Sequence, residues 1–234
     1  MLSGCLLAAA GCAAGPLPEA EAREALARGL AFENIGAADD AEAAYREAAR
    51  CEAVRPLALA DRANVLANQG AYEKAEKLCL ESIRLSPSSP AQNNLARMYL
   101  LCGRKLGEAT ALALSAAEIA GSPAEAAECW RTAGLAAGLN GDIPNAARYL
   151  RKGADLQMQS GPRDRSGSGR IDPETAFDLA RYLLLADRPA EALKALDQSR
   201  PPADPAQAAN LSALRAAALR RIEQVPRSHG APDR

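Results

Sequence analysis

Small side chains recur along this chain at a fixed interval. Gly36 and Gly70, Ala41 and Ala75, and Ala48 and Ser82 are each 34 residues apart. Carried onward, the series Ala41, Ala75, Ala109, Ala146 and Ala192 advances by 34, 34, 37 and 46 residues. The longer steps contain Gly121-Ser122-Pro123 and GPRDRSGSGRID, loop-forming by their Gly, Ser and Pro content. Seven residues after each of those alanines stands another small residue: Ala48, Ser82, Ala116, Gly153 and Ser199. A third small series, Gly29, Ala63, Ala96, Gly134 and Ala180, precedes them, and bulky residues fill the complementary places at Phe32, Leu66, Tyr99 and Leu183, then Tyr45, Leu150 and Leu196. A short helix pair cannot bury its apolar face alone, so small residues let helices approach while the neighbour's large residues fill the gap.

Between the paired segments fall Gly36, Gly70, Gly103 and Gly141, with Asp187 in the last unit. Glycine suits the left-handed conformation that ends a helix. The expected architecture is all-α: an α-solenoid of about five helix pairs with a C-terminal capping helix. Composition agrees, since aromatics are only 3% and abundant Ala favours close-packed helices over sheets.

The resemblance becomes specific at two places. Gly70-Ala71-Tyr72, Ala75, Ser82 and Pro87, and again Trp130, Gly134, Gly141, Ala146 and Gly153, resemble the tetratricopeptide-repeat (TPR) pattern. The resemblance covers residues 22–200, as repeats at 22–55, 56–88, 89–126, 127–160 and 173–200 with an insertion at 161–172. Arg28 and Arg62 depart from it, standing where the family usually buries Leu. Residues 201–225 carry Leu211, Leu214, Ala218, Leu219 and Ile222 at helical spacing, as a capping helix needs, and 226–234 form a polar tail.

The resemblance implies that the first helices of successive pairs line a concave groove for a peptide or a partner helix. In that register Asn64, Asn68, Asn93, Asn94, Arg97, Arg131, Leu135, Leu139, Phe177 and Arg181 face the groove. Asn offers both a donor and an acceptor, Arg can clamp a carboxylate, and Leu and Phe can anchor apolar groups. The co-chaperone subtype that grips acidic tails adds three basic residues to two Asn. Here Asn64 and Asn94 match the two Asn, but Ala60, Glu128 and Thr132 stand at the basic positions, so that specificity is not expected.

Catalytic and metal chemistry find little support. The single His, His229, lies in the tail, and Cys51, Cys79, Cys102 and Cys129 form no C-x-x-C pair. These four read as apolar fillers, and burial of Cys79 should raise its thiol pKa. No enzyme, cofactor or metal is expected. With 28 basic and 29 acidic residues, the net charge of −1 provides no field to hold nucleic acid.

Residues 1–21 open with MLSGCLLAAAGCAAG, too short an apolar run to cross a bilayer. Leu2-Ser3-Gly4-Cys5 resembles a bacterial lipobox, with Ala9-Ala10-Gly11-Cys12 as the alternative. No charged segment precedes Leu2, so the reading places the true start upstream. Lipidation at Cys5 would hold the protein on a membrane, and Leu6 in place of Asp favours the outer membrane by the lipoprotein resemblance. The function expected is a protein-binding scaffold in assembly of an envelope machine such as a type IV pilus or secretin, or else a cytosolic adaptor without an anchor. The insertion, with Arg163, Arg165 and Arg170, reads as a solvated linker or a mobile loop for an acidic partner.

Overall fold

A computed structural model of the chain describes residues 15–161 and 169–224. Cys5, Cys12, Arg163, Arg165 and His229 lie outside them. Eleven helices occupy the described residues: α1 Glu19–Asn34, α2 Ala38–Ala48, α3 Arg55–Asn68, α4 Tyr72–Leu85, α5 Ser89–Leu101, α6 Leu106–Glu118, α7 Pro123–Leu139, α8 Ile143–Ser160, α9 Pro173–Leu185, α10 Pro189–Asp197 and α11 Pro205–Gln224. Odd-numbered helices are the first members of each pair.

The turn within each pair is built the same way five times. Gly36, Gly70, Gly103, Gly141 and Asp187 take positive φ, from 55° to 86°. The next residue then donates its N–H to a carbonyl five positions back: Ala37 to Phe32, Ala71 to Leu66, Arg104 to Tyr99, Asp142 to Ala137 and Arg188 to Leu183. This closes the orphan carbonyls at a helix C-terminus and reverses the chain. Helix starts are set by side chains too: Ser88, Ser122, Asp142 and Asp172 each accept from the N–H three residues on.

The periodic alanines do what their spacing predicts. Ala41, Ala75, Ala109, Ala146 and Ala192 are all fully buried. Tyr45 and Leu150, the bulky partners, fill the space over Gly29 and Gly134, where a Cβ would stand only 2.4 Å and 2.6 Å from their side-chain atoms. One main core runs from α7 to α11 around Leu150, Ile171, Leu179 and Leu183; a second spans α3 to α7 around Leu95, Met98 and Tyr99. Around α1 and α2 there are only small clusters.

First helices touch first helices at α3 to α5, α5 to α7 and α9 to α11, only slightly at α7 to α9 and not comparably at α1 to α3, whereas successive second helices make no comparable contact anywhere. A row packed closely on one side and spread on the other must curve, with the first helices inside. Helix α11 packs on α9 and α10, taking the place of a sixth first helix. Leu211, Leu214 and Ala218 turn toward the core as expected, but Leu219 and Ile222 are exposed; no further helix among the described residues covers that side.

Two local expectations are corrected. Ser199 lies beyond α10, which ends at Asp197, so it is no packing residue of that helix. It sits instead in a short parallel bridge: Ile171 donates its N–H to the Gln198 carbonyl at 3.1 Å and accepts from Arg200 at 2.8 Å. The insertion is therefore not solvated throughout, because Ile171 is fully buried against α9 and α10 and Arg170 bonds the Asp197 carbonyl at 2.8 Å.

Candidate functional site

The inner wall is tied together by polar side chains that reach from one first helix to the next. Asn64 on α3 donates its amide to Glu33 Oε1 on α1 at 3.1 Å, while Tyr45 donates its hydroxyl to Glu33 Oε2 at 2.6 Å. Asn94 on α5 donates to the Ala60 carbonyl on α3 at 3.1 Å. Arg131 on α7 reaches α9, meeting Asp178 at 3.1 Å and Glu174 at 3.0 Å. Of the ten groove residues expected, Asn64, Asn94 and Arg131 are thus already engaged in holding the wall.

The others are less committed. Asn68 is exposed and lines a cleft of about 180 Å³ with Glu33 and Val65. Asn93 is half-buried, and its Oδ1, like Oε1 of the neighbouring Gln92, is buried and accepts no hydrogen bond among the described residues. Arg97 is exposed and makes no hydrogen bond or ion pair among the described residues. Leu135 is half-buried and leans on the C-terminal core; Leu139 is exposed. Arg181 lies over the Tyr182 ring at 4.8 Å, with its Nε buried and without a partner among the described residues. Phe177 lines an open cleft of about 250 Å³, shared with Asn210 and Leu211 of α11.

Carboxylates at this wall were missed from sequence. Glu33 and Asp61 sit together near the N-terminal end. Burial first, and then the negative charge of Glu33, push the Asp61 carboxyl up to about 7. Asp178 is also raised, by burial, against the opposing pull of Arg131. The signal available was register: Asp61 holds in its helix the place that Asn94 holds in α5.

Arg28 and Arg62, the departures from the repeat pattern, pair with Glu47 at 2.7 Å and Glu42 at 2.5 Å on α2. Ion pairs stand there in place of buried Leu contacts. Cys79 is buried, and desolvation pushes its thiol up to about 12, so it stays protonated. Among the described residues no group of three or more His, Cys, Asp or Glu could hold a metal, and no helix is long and apolar enough to cross a membrane.

No protein-family model matches the chain, and neither does any curated protein sequence. Solved structures do. A thermophilic TPR protein of Thermus thermophilus superposes with a TM-score of 0.60 at 21% identity, over 85% of this chain and 98% of that one. The fold is that of the tetratricopeptide repeat. PilW, a widely conserved type IV pilus biogenesis factor, matches this TPR array with a TM-score of 0.65 at 18% identity, over 87% of each chain. The Cut9–Hcn1 hetero-tetramer of the APC/C gives 0.66 at 18% identity over 85% of this array, which spans 36% of that chain.

Proposed function

We propose that this TPR array is a non-catalytic scaffold that holds a segment of a partner protein in its concave groove. The observation that carries the reading is the incomplete satisfaction of the inner wall. Among the described residues Arg97 has no ionic partner and Asn93 Oδ1 has no donor. Leu101, Leu139 and Leu185, at equivalent places in α5, α7 and α9, are each more than half exposed. Buried polar atoms are normally paired and apolar rows normally covered. A bound segment would answer Arg97 and cover the leucines.

Photo-crosslinking in cells tests this. A benzophenone amino acid at position 97 or 139 should capture a protein partner, whereas one at Leu80, exposed on a second helix, should not. Capture only from second-helix positions would move the binding face to the outside and refute the reading.

A role in assembling an envelope machine such as a pilus or secretin is the finer reading. Fold likeness to PilW and the Leu2-Ser3-Gly4-Cys5 tetrapeptide support it, and it would place the protein at the outer membrane through lipid on Cys5. Mass spectrometry of the native protein, with membrane fractionation, decides between this and a cytosolic adaptor. A diacylated Cys5 in the membrane fraction is the expected result, and an unmodified N-terminus in the soluble fraction is the contrary one.

A further inference from the structure

The charges on the inner wall do not balance locally, and their arrangement describes the occupant. Arg131 is answered by Glu174 and Asp178. Glu33 accepts only from neutral donors, Tyr45 and Asn64, and neither it nor Asp61 has a basic side chain within ion-pair reach among the described residues. One helix further along, Arg97 has no carboxylate within ion-pair reach among them either; Glu128 on α7 feels its charge only from beyond that range. An unanswered anionic place on α1 and α3 therefore lies beside an unanswered cationic place on α5.

The same helix carries a polar acceptor. Asn93 lies one turn before Arg97 on the same face of α5, and its buried Oδ1 receives no hydrogen bond among the described residues. Rotation of the Asn93 amide toward the groove would offer this acceptor to a backbone N–H of an extended chain. Exposed Leu30 and Leu101 offer apolar contacts on the flanking helices.

We infer that the groove takes an extended peptide segment carrying a basic side chain and an acidic one, the cation seated at Glu33 and Asp61 and the carboxylate at Arg97. Neighbouring helices lie about 8–10 Å apart and an extended residue spans about 3.3 Å, so the two charges should be about three residues apart if the cation sits at α3 and up to about six if it sits at α1. This rests on the groove reading above and specifies the chemistry of the occupant.

Selection from a phage-displayed library of random peptides, each about a dozen residues long, on the immobilised full chain tests it, followed by fluorescence anisotropy with one selected peptide made synthetically. The expected peptides pair Lys or Arg with Asp or Glu at that spacing. The synthetic peptide should bind the Glu33→Gln/Asp61→Asn variant at least tenfold more weakly than the unaltered chain. Replacing its basic residue by Ala should remove that difference. Arg97→Glu, at an exposed position that folding does not need, should weaken the same peptide about tenfold and spare a version whose acidic residue is Ala.

Selected peptides that crosslink into the groove without the charge pair, or that bind the double variant unchanged, would overturn the inference and leave the groove reading intact. Failure to select any peptide that crosslinks to the first helices would overturn both.

Discussion

Asp61 has a measurable consequence at the level of one side chain. Burial and the nearby Glu33 raise its carboxyl to about 7, so the folded state holds a proton that the unfolded state has released by mid-acid pH. A carboxyl raised in this way favours folding below its unfolded pKa near 4, and that contribution disappears as pH climbs through 7. Asp61→Asn keeps the neutral shape at every pH. With the site partly open to water, the expected gain is about 1–2 kcal/mol at pH 8 and near zero at pH 4. Thermal melts at both pH values check it, and an equal gain at both would show that charge is not the cause. The periodic alanines are equally specific. Ala146 is fully buried on α8 with its backbone close against Gly134 of α7, and Ala146→Leu should cost about 3 kcal/mol by overpacking. Ala124→Leu, exposed on α7, should change stability by less than about 0.5 kcal/mol. Urea titration of both variants separates packing from helix propensity.

Elements explain which parts of the molecule were legible beforehand. A helix pair repeated at near-constant spacing writes its small residues, its glycine turn and its bulky partners into the sequence, and all of these are found in place from Gly36 to Asp187. Ile171 was hidden because it follows a Gly/Ser run that reads as solvent-exposed, yet its backbone pairs with the chain leaving α10. Glu33 and Asp61 were hidden for a different reason: a carboxylate on a helix is ordinary until the neighbouring helix shows that no cation answers it. Conversely, Asn94 looked free by residue type and is spent on the Ala60 carbonyl. Helix α11 allows a test at this scale. Its Leu211 and Leu214 cover the C-terminal core, and Arg215 and Arg221 bind Asp197 and the Leu184 carbonyl at the ends of α10 and α9. Ending the chain after Arg200 should uncover apolar surface, lower the melting temperature and produce concentration-dependent association in light scattering. A truncated chain that melts like the full one and stays monomeric would show that α11 is not a cap.

The whole array should not unfold as one body. Each pair in a solenoid is stabilised by its own packing and by its immediate neighbours, and the neighbours differ in strength here. From α3 to α11 two extended apolar cores meet at α7 and share Tyr149 at their boundary. At the N-terminal end only small clusters such as Ala22, Cys51 and Val54 hold α1 and α2. The ties from α1 and α2 to α3 are two small apolar clusters, Ala25/Ala48/Ala58 and Ala41/Tyr45/Val65, and three polar contacts, Glu33 to Asn64, Glu42 to Arg62 and Asp39 to Gln69. Each of these clusters and contacts is small. Opening should therefore begin at α1 and α2, and hydrogen exchange there should run at least tenfold faster than in α5 to α8. If Glu33 and Asp61 receive the basic end of a peptide that also rests on α5, binding bridges the weak junction, and α1 is where exchange should slow most. Equal slowing along the whole chain would instead indicate a single cooperative unit, and the weak junction would not be the place where binding energy is felt.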